Sequence, residues 1–254
     1  MSEVSKLFND RSKTYDEIYS AISSKKLLHQ EKRVRSALVE EMISNELNLS
    51  DEHHIIDVGC GTGNFLLRIR EKGIKSPLLG VDISPEMIDK ARSNLQHSAF
   101  KDVEFRAGST SDINNRANLV LSLGVSGYSE NQNKFLEDLA DIVDKGGYLI
   151  FTTANGDSIS RNLRRFLSKL HSLLKSKTKS RGVEFQPIKE KTVDSLILNK
   201  KFSLEKRVYI TFGLGLSRSS FECYVDRLLF SILKNNFLSK FLSLTTIHVY
   251  RKAS

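Results

Sequence analysis

Three glycines at alternate positions, Gly59, Gly61 and Gly63, follow the short run His54-Ile55-Ile56-Asp57-Val58 and lead into Asn64-Phe65. Glycine in a turn after a strand reaches positive φ without penalty, and it lets a ligand approach backbone that a Cβ would shield. The pattern therefore reads as a nucleotide-cofactor loop: a strand, a tight turn, and a helix beginning near Asn64. A loop that grips a pyrophosphate has the spacing G-x-G-x-x-G, which requires glycine at position 64. Asn64 stands there, and the third glycine comes one residue early. A second apolar run, Leu78-Leu79-Gly80-Val81, ends in Asp82 and is followed by Ile83-Ser84-Pro85-Glu86-Met87. An acidic side chain at the tip of a second strand is placed to accept both hydrogen bonds of a ribose diol.

Together these segments resemble the class I S-adenosylmethionine-dependent methyltransferases, in which Asp-x-Gly-x-Gly-x-Gly lines the cofactor and the acid closing the second strand binds its ribose. The resemblance implies S-adenosyl-L-methionine as cofactor and no metal. It assigns cofactor contacts to Asp57, Gly59, Cys60, Gly61 and Gly63 in the first segment and to Asp82, Ile83 and Met87 in the second. Gly108 and Ser109 after the third strand, and Leu123 and Gly124 after the fourth, complete the set. Ser109 occupies a position where the family commonly has an acid for the adenine amino group, with Asp112 or a backbone carbonyl as substitutes. The early segment Phe8-Asn9-Asp10-Arg11-Ser12-Lys13-Thr14-Tyr15-Asp16 looks like the first helix of the ubiquinone/menaquinone-biosynthesis type. There it folds over the pocket, and Tyr15 either reaches the methionine moiety or packs on an amphipathic helix. Arg33 and Arg35 lie on a helix predicted within 27–47; a guanidinium suits a carboxylate bidentately, but the expectation is a solvated charge.

The elements that must position these residues follow from punctuation and period. Ser84-Pro85-Glu86 is a helix start. Strands read at 103–108, 119–125 and 148–153, a helix at 131–143, another at 192–199, a sixth strand at 202–212, and a last strand at 245–251. The fold class is α/β: a Rossmann-like seven-stranded, mostly parallel sheet with helices on both faces and an antiparallel last strand, plus helical inserts in the C-terminal half. Residues 1–254 read as a single methyltransferase domain. Within it, 1–50 form an N-terminal helical cover, 51–154 the cofactor-binding half, and 155–191 and 213–243 helical inserts covering the substrate site.

The net charge of +9 is unevenly placed. Residues 1–150 hold 19 Lys and Arg against 23 Asp and Glu, a balance of −4; residues 151–254 hold 20 against 7, a balance of +13. Such asymmetry points to an anionic partner or a solubilising face. The basic 160–181 segment also carries an apolar stripe, so it either lies on an anionic membrane surface or packs that stripe on its own domain. No run approaches the length of a membrane-spanning helix, and the chain is expected to be cytoplasmic. Two cysteines, Cys60 and Cys223, suggest neither a disulfide framework nor a metal site.

Methyl transfer from a sulfonium is an in-line displacement by an already activated donor, so alignment and exclusion of water matter most. A base is required only where the nucleophile must lose a proton. Tyr128, after strand four, is the preferred pocket residue, as a substrate contact before a proton acceptor. Asn155, His29 and Tyr19 are further candidates near the pocket; His171 reads as a surface residue. The Asn/Asp-Pro-Pro-aromatic signature of base and glutamine amino-group methyltransferases is missing from Ser122-Leu123-Gly124-Val125-Ser126-Gly127-Tyr128. The reading is a small-molecule methyltransferase acting on oxygen of a hydrophobic or anionic acceptor, with nucleic acid a less favoured partner. An RNA or protein methyltransferase using the basic half, and a non-catalytic cofactor-binding protein, are the alternatives.

Overall fold

Apolar runs set between glycine and proline punctuation form the strands of one sheet. The computed structural model describes residues 3–15, 27–163, 166, 185–212, 220–233 and 236–254. The strands are β1 (Ile55–Val58), β2 (Leu78–Asp82), β3 (Val103–Ala107), β4 (Ala117–Ser122), β5 (Val143–Asn155), β6 (Pro187–Ile188), β7 (Phe202–Ile210) and β8 (Thr245–Lys252). Their order is β3-β2-β1-β4-β5-β8-β7, with β6 beside the end of β5. Pairings from β3 through β5 are parallel, and β8 runs antiparallel to both β5 and β7. Parallel strands covered on both faces need apolar side chains on both, and β1 is buried at all four of its residues.

Helices supply the two covers. The helices α1 (Glu3–Tyr15), α2 (Leu27–Glu41), α3 (Asn64–Glu71) and α4 (Pro85–His97) precede α5 (Gln132–Ile142), α6 (Glu190–Leu198), α7 (Ser220–Leu233) and the short α8 (Ser239–Leu242). One core joins Val39 of α2, Leu66 and Ile69 of α3 and Ile88 of α4 to Ile55, Leu119 and Leu121 of the sheet. The opposite core joins Leu136 and Leu139 of α5 and Val193 and Ile197 of α6 to Ile56, Val120, Leu149 and Phe151. Each fully buried Leu or Ile of this kind contributes about 1.5–3 kcal/mol. Ser84 caps α4 by accepting the Met87 N–H at 3.1 Å, with Pro85 in the first turn, as the sequence predicts.

The expected seven-stranded sheet is present, with differences at its margins. Strand β5 begins at Val143 rather than Tyr148: α5 ends at Ile142, and Lys145-Gly146-Gly147 lies inside the strand as an irregularity. The register moves from Ala117↔Val143 to Leu119↔Tyr148, with Gly146 at φ 73°. The eighth strand, β6, pairs Pro187 and Ile188 with Ala154 and Asn155 and is too short to show alternation. Helix α2 continues through a wider turn, Met42–Glu46, that buries Met42 and Ile43.

Polar contacts tie the flanking segments to this frame. Ser5 of α1 donates to the Ile83 carbonyl at 3.2 Å, and Ser84 donates to Asn9 Oδ1 at 2.6 Å. Gln30 of α2 donates to the buried Asp226 of α7 at 2.9 Å. Of the basic 160–181 segment, only 160–163 and 166 fall within the described residues. No helix among the described residues is long and apolar enough to cross a membrane.

Candidate functional site

Strand β1 has β2 on one side and β4 on the other, so the connections leave in opposite directions and open a crevice at the strands' C-terminal ends. The glycine turn sits there. Gly59, Gly61 and Gly63 take φ of 79°, 56° and 77°, which side chains with a Cβ rarely adopt. The Gly59 and Cys60 N–H groups both donate to the Val81 carbonyl, at 2.7 and 3.1 Å, and lock the turn to β2. Asp82 completes the lock: its two carboxylate oxygens accept the N–H groups of Gly61 and Ser84, each at 2.9 Å.

A cavity of about 360 Å³ opens against this turn. Its walls include Gly59, Asp82, Ile83, Gly108 and Ser109, together with Leu123 and Gly124. Val4 and Phe8 of α1 and Tyr128 close it from above. The Tyr128 ring packs edge-on against Phe8, centroids 5.1 Å apart, and against Phe185, at 4.8 Å. Gly127, just before it, has room only for hydrogen, since a Cβ would lie 2.5 Å from the Phe185 ring.

Other residues named from sequence lie outside the cavity wall. Met87 is fully buried in α4. Cys60 turns its sulfur toward Gly80, and burial pushes its thiol well above the usual range. Gly63 is required by packing: a Cβ there would meet the Phe105 ring at 2.5 Å. Gly61 acts through its N–H to Asp82. Tyr15 ends α1, but its side chain, like those of His29 and Tyr19, lies outside the described residues, as does all of His171. Asn155 is not at the cavity; its amide donates to the Lys240 carbonyl at 2.6 Å and to Ser243 Oγ at 2.9 Å, fastening β5 to the segment before β8.

Asp57 is buried beneath the turn. Burial first, then the neighbouring Asp82 carboxylate, push its pKa up to about 7, while the Arg35 guanidinium opposes them. Its Oδ1 has no hydrogen-bond partner among the described residues. Burial also raises Asp82, against the lowering effect of the Ser84 and Gly61 N–H groups.

Arg35 departs from its expected solvated role. It is only 4% exposed, is held by Glu31 at 3.2 Å, and lies so close to Gly124 that a Cβ there would sit 2.6 Å from its Nη1. Its signal in the sequence is its spacing with Val39 and Met42, which puts all three on the helix face that the structure buries.

The adenine substitute also differs. Asp112 accepts from the N–H of Ser109 at 2.7 Å and its hydroxyl at 3.0 Å, which lowers its pKa and engages it in its own turn. A further carboxylate in the cavity wall, besides Asp82 and Glu130, is Asp138 of α5, which accepts from Thr110 at 3.3 Å and pairs with Lys134. No period or motif marks Asp138, which becomes apparent only once α5 is seen beside the turn after β3.

This arrangement has the parts to hold a nucleoside with a charged amino-acid tail. Asp82 closes β2 at the cavity wall, the buried Asp57 and Arg35 lie near the turns, and Phe8, Tyr128 and Phe185 pack together at the cavity's aromatic side. The model of the methyltransferase domain family matches residues 49–204. Malonyl-[acyl-carrier protein] O-methyltransferase 1 of Ilyobacter polytropus is 28% identical over 158 residues, 61% of this chain and 58% of that protein. The malonyl-[acyl-carrier protein] O-methyltransferase of Brevibacillus brevis is 24% identical over 186 residues, 72% of this chain and 63% of that protein. The chain thus spans less than two thirds of the length of these curated relatives. Magnesium protoporphyrin IX methyltransferase from Synechocystis PCC 6803, solved with bound SAH, superposes with a TM-score of 0.66 at 15% identity, covering 89% of this chain and 86% of that one.

Proposed function

The chain belongs to the methyltransferase domain family, and we propose that it transfers the methyl group of S-adenosylmethionine to an oxygen of a hydrophobic or anionic small molecule. The observation that carries this reading is the cavity at the ends of β1, β2 and β4, with Asp82 and the glycine turn in one wall and an aromatic roof opposite. Three features fit the cofactor. Asp82 has used one lone pair on each oxygen for backbone, leaving acceptors for a ribose diol. The unpartnered Oδ1 of Asp57 suits an ammonium, and the guanidinium of Arg35 beside Gly124 suits a carboxylate. Asp138 is our assignment for the adenine amino group, between walls that include Ile83 and Leu123.

S-adenosylmethionine supplies an activated methyl on sulfur. The chain's own part is to orient the acceptor oxygen behind that methyl and keep water out, which Phe8, Tyr128 and Phe185 suit as a contiguous apolar cover. Tyr128 serves as an acceptor contact. The acceptor class draws its support from the apolar roof and from the +13 balance of residues 151–254.

The test is transfer of a labelled methyl group from S-adenosylmethionine into a cell extract, partitioned between organic and aqueous phases with nuclease- and protease-treated controls. Label in a nuclease- and protease-resistant small molecule is the expected result. Label released by nuclease or protease would move the acceptor to RNA or protein. Cofactor binding with no transfer would leave a non-catalytic binding protein.

A further inference from the structure

The residues from Tyr128 to Asn131 form one continuous piece of the cavity wall. None of the four is buried, and Glu130 and Asn131 are exposed. A polar loop without a buried side chain of its own takes its position from what holds its ends.

Both ends are tied to one residue. The Gln186 N–H donates to the Gly127 carbonyl at 2.8 Å, just before the loop. Just after it, Gln132, the first residue of α5, donates its side-chain Nε2 to the Gln186 carbonyl at 3.3 Å. Gln186 in turn leads into β6, where Pro187 and Ile188 pair with Ala154 and Asn155, so the clasp is rooted in the sheet. Phe185, one residue earlier, packs on the Tyr128 ring and fills the space over Gly127. Gln132 is only 8% exposed. Burying a long amide costs desolvation and rotamer freedom, and an apolar side chain of similar length would fill the place at lower cost if packing were all it supplied.

We propose that Gln132 is a positioning residue for the methyl acceptor: its amide, through Gln186, fixes the 128–131 loop and with it the Tyr128 ring. This rests on the reading that Tyr128 contacts the acceptor. The groups assigned to the cofactor lie on other elements: Asp82 is held by the Gly61 and Ser84 N–H groups, and Asp138 by Thr110 and Lys134. Loosening the loop therefore acts on the acceptor and spares the cofactor.

The experiment uses Gln132→Met, which keeps the length and removes the donor, and Gln132→Glu, whose carboxyl can donate to the Gln186 carbonyl only when protonated. The acceptor probe is the deproteinised, nuclease-treated small-molecule extract used for label transfer, titrated at saturating S-adenosylmethionine. Gln132→Met should raise the half-saturating amount of extract about fivefold, with the maximal rate and the affinity for S-adenosylhomocysteine within about twofold of wild type. Gln132→Glu should match the methionine variant at about pH 8 and approach wild type, compared at the same pH, at about pH 5, where a buried glutamic acid is protonated. The proposal is overturned if the methionine variant half-saturates like wild type, if its loss falls on the maximal rate and on cofactor affinity, or if the glutamate variant shows no recovery in acid. If wild type transfers no label, the acceptor reading has failed, and fluorine NMR of chains carrying 3-fluorotyrosine decides the clasp alone. The Tyr128 resonance, one of seven and assigned by Tyr128→Phe, should move in Gln132→Met; an unmoved resonance overturns the clasp.

Discussion

Asp82 accepts the backbone N–H of Gly61 at 2.9 Å, so the carboxylate that closes β2 also pins the glycine turn that follows β1. With the proposed ribose assignment, loop position and ligand binding would be coupled in this one side chain. Asp82→Ala removes the proposed ribose acceptors and strands two N–H donors, those of Gly61 and Ser84. At about 1.5–3 kcal/mol per hydrogen bond to a charged group, cofactor affinity should fall about 100-fold or more. Asp82→Asn keeps one acceptor oxygen and should fall between. Calorimetric titration with S-adenosylhomocysteine measures both, and wild-type affinity in the alanine variant would remove the ribose assignment.

Asp57 gives a pH signature. Its carboxyl is raised from 3.8 to about 7 in the folded chain, so the native state binds a proton more tightly than the unfolded state does. Stability from this group is greatest below the unfolded pKa and is lost as pH rises toward about 7, at up to about 1.4 kcal/mol per pH unit. Subtracting the urea stability profile of Asp57→Asn from that of wild type should isolate this slope. A cofactor ammonium beside Asp57 favours its ionised form, so binding near pH 6 should release a proton. Calorimetry in buffers of different ionisation enthalpy detects that release, and Asp57→Asn should abolish it.

Local constraints make some of this legible in the sequence and leave the rest hidden. The strands, the Ser84 cap and the Gly59–Gly63 turn are readable because each is specified by residues within a few positions of one another. The strap of α1 over the cavity depends on Ser5 meeting Ile83 and Asn9 meeting Ser84, pairs |i−j| 78 and 75 apart, and nothing local announces them. Arg35 escapes a reading by pattern because a charged residue on an amphipathic helix is normally solvated. Here Glu31 and the proximity of Asp57 compensate its burial. The start of β5 at Val143 is hidden in the sequence because Lys145-Gly146-Gly147 places glycines inside a strand, where an irregularity uses the freedom that glycine more often lends to a turn.

Tyr128 separates a contact role from a chemical one. Its ring is fixed by Phe8 and Phe185, and its hydroxyl is not needed for that packing. Tyr128→Phe should therefore keep kcat within about threefold, whereas Tyr128→Ala should raise the acceptor KM about tenfold by opening the roof to water. A loss of about 100-fold in kcat for the phenylalanine variant, with KM unchanged, would instead make the phenol a proton acceptor.

The joint between α2 and α7 predicts a stability effect remote from the cavity. Asp226 is buried; its Oδ1 accepts the Phe212 N–H at 2.6 Å and its Oδ2 the Gln30 amide at 2.9 Å. Next to Phe212, Thr211 takes φ 62°, a conformation costly for a β-branched residue, with the Leu244 N–H on its carbonyl at 2.7 Å. Asp226→Ala leaves two donors without this acceptor and should cost about 2–4 kcal/mol in urea unfolding. Asp226→Asn should cost less, because the asparagine oxygen can still take the Phe212 N–H while Gln30 rotates its amide to accept from the new NH₂. Gln30→Leu should fall between the two, removing one bond yet leaving Phe212 held. If alanine and asparagine at 226 are equally destabilising, the joint is held by the negative charge of Asp226 and not by its hydrogen bonds to Phe212 and Gln30.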